Sequence, residues 1–421
     1  MTPDRSHLSL PRGVQAAGPE RALVHRRLED GWLAACALAG FRRVEVPPLG
    51  YESTFTTGHH AAGDRIYRFT DRRGRPLALT PDSLSAALRA VLDSDATEQR
   101  VSYRCPVFRY EHRPRRFFHH LGLMEVRRHP VNHAAQVAST RRLALVAHSF
   151  VAPITAVSVT ITDPGLWWAL MAEHVPPADV AVRLDELRRL ERPIWARTLH
   201  DGGASREFVQ RVEGLASGKP DADDADHARR LHGCEEIAES LREDGATVHV
   251  DLGDLHASEF HDGPAFQIHV DGGRPLGDGG SYGGYASTFA GADTALFAAV
   301  VGLERLADIM IASGRAPSAP AADVAVLAMP DASSRRHADE LALALRRSGV
   351  SVWDAERDGR GTRQRRLLEA AGICWTVTIG PRDIEAGTYA IRDPRGTVHH
   401  VSAHDVIGWL QSLLSGDADV P

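Results

Sequence analysis

The chain has 421 residues, 43% of them apolar and 25% charged, with a formal net charge of −6. That length holds two or three domains with cores of their own, and the composition is ordinary for a soluble globular protein. No global basic field advertises nucleic-acid binding, so any RNA contact has to be a local patch.

Residues 19–39 have the spacing of an amphipathic helix closed by Gly40. Arg42–Val46 alternates as a strand and stops at Pro47-Pro48. Ile66–Phe69 and Pro76–Leu79 flank the turn Asp71-Arg72-Arg73-Gly74 as a hairpin, and Pro81-Asp82 opens a helix to about Leu92. Strands are predicted over 101–110 and 117–126. Residues 133–250 are mostly helical in periodicity, with a Gly/Asp-rich surface loop from Gly214 to Asp226. Strand patterns return at 247–252, 264–270 and about 281–287, and one long apolar helix is predicted over about 293–312, ending at Gly314.

The run Arg315-Ala316-Pro317-Ser318-Ala319-Pro320-Ala321-Ala322 reads as a linker. It divides the chain into domains over 1–320 and 321–421. Beyond it come strand Val324–Ala328, helix 333–348, strand Val350–Trp353, helix 362–371 and strand Cys374–Ile379. A turn at Gly380-Pro381, strand 388–392 and helix 403–415 follow, which predicts a small α/β domain with a largely parallel sheet. The four cysteines stand alone, without the C-x-x-C spacing of a zinc knuckle or redox pair. The first residues lack an apolar signal core, and no run approaches the ~18–20 apolar residues of a membrane span, so the cytoplasm is the expected compartment.

The chemistry concentrates in Phe108-Arg109-Tyr110-Glu111, answered by Phe118-His119-His120-Leu121-Gly122 on a returning strand. Arg109 suits an α-phosphate. Glu111, two residues on, shares its face of the strand and can accept from an adenine amino group, while Phe118 can cover the ring. A lone F-R-x-E is common by chance and would serve equally as a surface ion pair. It gains weight from a second arginine, Arg305, in Val301-Gly302-Leu303-Glu304-Arg305-Leu306. Together these resemble motifs 2 and 3 of class II aminoacyl-tRNA synthetases, in the form found in histidyl-tRNA synthetase and its paralogues. The helix, strand and proline order leading to Phe55 resembles motif 1, the dimer-forming element. The run from Gly361 through Leu368 and Ala371 to Ile379-Gly380 resembles the anticodon-binding domain of several synthetases.

The resemblance implies a fold of α+β type: an antiparallel sheet flanked by helices, a helical insertion at about 133–250, and a small α/β domain behind it. It implies a homodimer, ATP with Mg2+ on its polyphosphate, an amino acid or other carboxylate as substrate, and tRNA or another acyl acceptor. By the same resemblance Arg109 holds the α-phosphate, Arg305 the γ-phosphate, and Glu111 and Phe118 the adenine. Arg116, with Arg115 or Arg113 as alternatives, adds a phosphate contact. No protein-borne metal site is expected. Histidines crowd 112–133, but His119 and His120 point to opposite faces of a strand, and Pro130 separates His129 from His133.

The departures from the family are informative. Where histidyl-tRNA synthetases carry R-G-L-D-Y-Y, the stretch here begins at His256 and runs through Phe260-His261, so His256 replaces a catalytic arginine and His261 a tyrosine. G-G-R-Y-D becomes Gly279-Gly280-Ser281-Tyr282-Gly283, and R-P-E-G-T becomes Thr80-Pro81-Asp82-Ser83-Leu84. The glutamate that reads imidazole falls at Met124; Glu125, one residue away, would face the other side of the sheet. The amino-acid pocket is therefore expected around Asp82, His120, Met124, His261, Ser281 and Tyr282, with Arg109, Arg305 and His256 as the catalytic set. The favoured reading is an adenylate-forming ligase with altered amino-acid or acceptor specificity. The alternatives are a diverged histidine–tRNA ligase and a non-catalytic subunit resembling the ATP-phosphoribosyltransferase regulatory subunit.

Overall fold

The computed structural model describes residues 9–57, 65–94, 96–110, 115–176, 179–219, 224–255, 258, 260–270, 275–291, 293–317, 319–356 and 361–414. Two units, Met1–Ala316 and Pro317–Pro421, separate within the proline-rich run.

The first unit is built on an eight-stranded sheet in the order Arg42–Arg43, Glu98–Phe108, Phe117–Arg127, Ala295–Gly302, Pro275–Ser281, Ala265–Val270, Val157–Thr162, Thr247–Val250. Neighbours are antiparallel except the two outermost pairs, which are parallel. The central hairpin pairs Cys105 with His120, Tyr103 with Gly122 and Val101 with Met124. Side-chain alternation then sorts the strand Phe117–Arg127 into two faces. Leu121 and Leu123 pack into the core shared with Leu28 and Trp32 of helix Pro19–Leu38 and Leu143 of helix His133–Val151. Met124 joins Tyr103, Leu88 of helix Ser83–Leu92, and Tyr282 and Tyr285 on the other face. Each fully buried aliphatic side chain contributes about 1.5–3 kcal/mol, so both faces are firmly specified.

Three readings of the sequence change here. The predicted helix over 293–312 is a strand, Ala295–Gly302, followed by a helix, Leu303–Ala312. A strand covered on both faces shows no polar alternation, and its alanines mimic helix. The predicted strand at 281–287 is instead helix Gly283–Ala290, preceded by the strand Pro275–Ser281. The region 133–250 is not wholly helical, because Val157–Thr162 is a member of the central sheet; the helical run lies between Pro164 and Glu243. Smaller adjustments are a first strand shortened to Arg42–Arg43 and a helix that runs to Ala216, into the predicted loop. The predicted hairpin is present, Arg68–Thr70 pairing with Pro76–Leu79.

The second unit has five strands in the order Val352–Glu356, Val324–Ala328, Trp375–Ile379, Thr388–Arg392, Val398–Ser402. Its first three strands are parallel and its last two antiparallel, so the sheet is mixed rather than largely parallel. The stretch after Gly380 is a short helix, Pro381–Ala386, and the last helix is Val406–Leu414, beginning later than predicted. Among the described residues no helix is long and apolar enough to cross a membrane.

The strand Pro275–Ser281 needs its glycines. A Cβ on Gly277 would run into the Val300 carbonyl, and one on Gly279 into Ala299 of the neighbouring strand. Gly277→Ala is expected to destabilise the first unit by about 1–3 kcal/mol, the usual cost of overpacking. Chemical denaturation followed by tryptophan fluorescence checks this, and an unchanged midpoint contradicts it.

Candidate active site

A cavity of about 880 Å³ opens on the Met124 face of the sheet. Register orders its floor. Along Ala295–Gly302, taken from its C-terminal end, Gly302 lies opposite His120, Val300 lies between Gly122 and Asp278, and Ala298 lies between Met124 and Gly280.

Arginines gather beyond the Gly302 end. Arg109 follows the strand Glu98–Phe108; its backbone N–H donates to the Arg116 carbonyl at 2.9 Å and its Nε to the Pro81 carbonyl at 2.7 Å. Its guanidinium lies 5.6 Å from the centre of the Phe118 ring. Arg115 is held by Asp308 at 2.7 Å, and Asp308 is held in turn by Arg21 at 2.8 Å. Arg305 sits in the first turn of helix Leu303–Ala312 and donates to the Pro275 carbonyl. Arg109, Arg115, Arg305 and Phe118 all line the cavity. Arg116, assigned a phosphate contact from the sequence, instead places its guanidinium 4.4 Å from the Tyr110 ring centre, and Arg115 takes its place on the wall. Glu111 and His256 lie outside the described residues.

The deeper part is acidic and aromatic. Asp82 caps helix Ser83–Leu92, its two oxygens accepting from the Ser85 N–H and Oγ, each at 2.8 Å. Such a cap contributes about 1 kcal/mol and fixes the carboxylate on the wall. Ser83 Oγ lies 2.9 Å from His120 Nδ1. Asp82, His120, Phe260, Asp278 and Tyr282 line this part. Met124, His261 and Ser281, expected in the pocket, stand behind it. Met124 is packed in the core with Tyr282 and Tyr285. The buried His261 ring is 4.3 Å from Tyr282, with Nδ1 3.1 Å from the Ser281 carbonyl oxygen. Ser281 Oγ donates to Asp262 at 2.9 Å, and Asp262 also accepts from the N–H groups of Gly283 and Gly284. Asp278 was not expected on the cavity wall; its signal is a single charged residue inside the glycine run Gly277-Asp278-Gly279-Gly280.

Glu125 is turned fully to the opposite face. It is completely buried and bound by Arg142, with Arg100 and Arg127 each at 3.4 Å. It cannot reach the cavity.

Burial, with Arg109 and His119 adding to it, pushes His120 down to about 3. Burial raises the Tyr282 hydroxyl, and the negative charges of Asp278 and Asp82 raise it further. Glu304 accepts from the His119 N–H at 2.8 Å and lies 2.7 Å from His119 Nδ1. Burial acts to raise its pKa, but these contacts with His119 hold it below the ordinary carboxylate range. Among the described residues no group of three or more His, Cys, Asp or Glu could hold a metal ion.

The sequence matches the family Histidyl-tRNA synthetase over residues 13–300. The chain belongs to the histidyl-tRNA synthetase family. Residues 323–413 match the family Anticodon binding domain. The histidine–tRNA ligase of Corynebacterium urealyticum is 26% identical, over 97% of this chain and 97% of the relative. That of Pyrococcus abyssi is 26% identical, over 96% and 99%. Among solved structures, histidyl-tRNA synthetase from a Nostoc species superposes with a TM-score of 0.73 at 17% identity, covering 96% of this chain and 99% of that one. A Bacillus halodurans protein described as an ATP phosphoribosyltransferase regulatory subunit/histidyl-tRNA synthetase gives 0.70 at 19% identity, covering 85% and 96%. The first unit thus has the class II synthetase catalytic fold, and the second the α/β anticodon-binding fold.

His120 gives a pH prediction. Unfolded, a histidine titrates near ~6.5; folded, His120 stays neutral down to about 3. Its contribution is therefore fully present above the unfolded value and is lost as pH falls from about 6.5 toward 3. His120→Gln should flatten this part of the acid limb in urea denaturation at about pH 7 and pH 5. In NMR, one ring signal that does not titrate near ~6.5 should vanish in the variant. A ring that charges at the ordinary value contradicts the assignment.

Proposed function

We propose that the protein binds ATP and activates the carboxylate of an amino acid other than histidine as an acyl-adenylate. The observation that carries this reading is a cavity wall that bears both signs of charge: Arg109, Arg115 and Arg305, from three separate elements, with Glu304 and Asp308 beside them, and the carboxylates of Asp82 and Asp278. A zwitterion has its two charges matched by such a wall, with its carboxylate toward the arginines and its ammonium toward Asp82. One carboxylate oxygen attacks the α-phosphorus of ATP, a P–O bond forms, and pyrophosphate leaves with the electron pair. In this reading Arg109 takes the α-phosphate, Arg305 and Arg115 the departing polyphosphate, and Phe118 the adenine. Magnesium would enter on the polyphosphate. The residues' work is orientation and charge neutralisation by groups already in place.

Histidine is disfavoured because neither neighbouring residue offers a carboxylate to the cavity: Met124 is packed in the core behind it and Glu125 lies on the other face under its arginines. A site that reads a side chain by hydrogen bonds discriminates only while the partners remain. The anticodon-binding family of the second unit supports an RNA acceptor, and helix Pro19–Leu38 with its following strand supports a homodimer.

Pyrophosphate exchange across the twenty amino acids, with and without total tRNA, tests the reading. Exchange is expected with at least one amino acid, and histidine should be a poor substrate. Arg109→Ala and Arg305→Ala should each lower exchange about a hundredfold, the usual loss for one preorganised charge contact. Absence of ATP binding in calorimetry would overturn adenylation. Robust histidine exchange with charging of histidine tRNA would restore an ordinary histidine–tRNA ligase.

A further inference from the structure

We propose that Trp168 is a positioning residue for the cavity: through the Ser258 carbonyl it fixes Phe260 on the wall, so that helix Pro164–Ala172 sets the affinity for the amino acid and leaves that for ATP alone. The inference rests on the cavity being an amino-acid site and names a residue outside it that shapes it.

Helix Pro164–Ala172 meets residues 252–262 at three points. Trp167 Nε1 donates to the Leu252 carbonyl at 2.5 Å, and Trp168 Nε1 to the Ser258 carbonyl at 2.8 Å. At Gly165 the backbones approach so closely that a Cβ would lie 2.5 Å from the Asp262 carbonyl oxygen. The helix is a firm base. Its cap, Asp163, is completely buried, accepts from the Gly165 N–H at 2.9 Å and is bound by Arg230 of helix Ala225–Glu243 at 3.2 Å. The two indoles differ in what they do. Trp167 is fully buried in the core and meets Trp195 edge-on at 5.3 Å, so it belongs to the packing of the fold. Trp168 is partly buried at the margin of that core, and its distinctive contribution is the N–H. Phe260 follows Ser258 by two residues. It packs against the other core cluster, the one holding Met124 and Tyr282, and lines the cavity. The chain therefore passes from one core to the other within these few residues.

Ser258 is buried, and its Oγ has no hydrogen-bond partner among the described residues, so its side chain does not anchor it to the helix. Its carbonyl does, through the indole. A buried carbonyl that loses its donor is costly to leave unmet, and the peptide turns to recover a partner. Phe260 moves with such a turn. Arg109 and Phe118 belong instead to the hairpin of Glu98–Phe108 and Phe117–Arg127, whose register is fixed by its own ladder. A change at Ser258 thus reaches the wall beside Tyr282 before it reaches the residues read as the nucleotide site.

The test combines pyrophosphate exchange with fluorine NMR on the full-length protein. Trp168→Phe keeps an aromatic ring and removes the donor; Trp168→Leu takes its place if a thermal melt shows that variant unfolded. The substitution should raise KM about fivefold or more for the amino acid that the wild type exchanges, the usual effect of one unmet buried acceptor. KM for ATP should stay within about twofold. Phe260→Ala should raise the amino-acid KM in the same way. Adding Trp168→Phe to it should change that KM by less than about twofold, since the two act in series. Equal rises in both KM values, additive effects, or an amino-acid KM indifferent to Phe260→Ala overturn the proposal. In protein labelled with 4-fluorophenylalanine, the Phe260 signal is assigned by its loss in Phe260→Leu. It should move in the Trp168 variant, and an unmoved signal overturns the proposal without any substrate. If the wild type exchanges no amino acid, adenylation falls and the fluorine signal alone decides the role of Trp168.

Discussion

The register of one strand, Phe117–Arg127, governs the rest of the structure. Its even-numbered residues from Phe118 to Met124 look toward the cavity side, and its odd-numbered residues face the long helices. Glu125 locks that choice. A completely buried carboxylate is tolerable only with partners, and Arg142 of helix His133–Val151, with Arg100 and Arg127 of the sheet, provides them. A slip of one residue would carry this charge to the other face and leave the arginines beneath the helix without their anion. The same lock sets His120 against Ser83 and His119 against Glu304. The helix carrying Arg305 is thus tied to the hairpin through its own neighbour, Glu304.

Much of this was legible because the decisive residues obey simple periods. The odd–even argument that separated Met124 from Glu125 needed only strand geometry. Asp82 read as a helix start because its side chain closes the first turn. The misread segments share a physical cause. Ala295–Gly302 is covered on both faces and shows no alternation, while Pro275–Ser281 is rich in glycine because its neighbours leave no room for side chains. Each became recognisable only beside the other, since Gly277 pairs with Val301 and Gly279 with Ala299.

The site shows the same division. Arg109, Phe118 and Arg305 could be placed from sequence because their motif carries its own spacing. Arg115 and Arg116 are adjacent, and only the direction taken after the hairpin turn decides which reaches the cavity. Asp308 selects Arg115 from a helix nearly two hundred residues away, and Tyr110 draws off Arg116. His261 and Ser281 were placed by resemblance in the pocket lining, but both are spent on holding the turn under Tyr282. Asp278 went unseen because the glycine-rich strand around it shows no side-chain alternation.

The strand order also bears on how the chain is made. Ala295–Gly302, the last strand of the first unit to leave the ribosome, occupies the middle of its sheet, between Phe117–Arg127 and Pro275–Ser281. Until it emerges, the nascent chain carries two partial sheets, each with an open edge able to pair with the wrong neighbour. The cavity floor does not exist in that interval. Insertion of this single segment seals both edges and completes the floor together, so the cavity arrives only with closure of the fold.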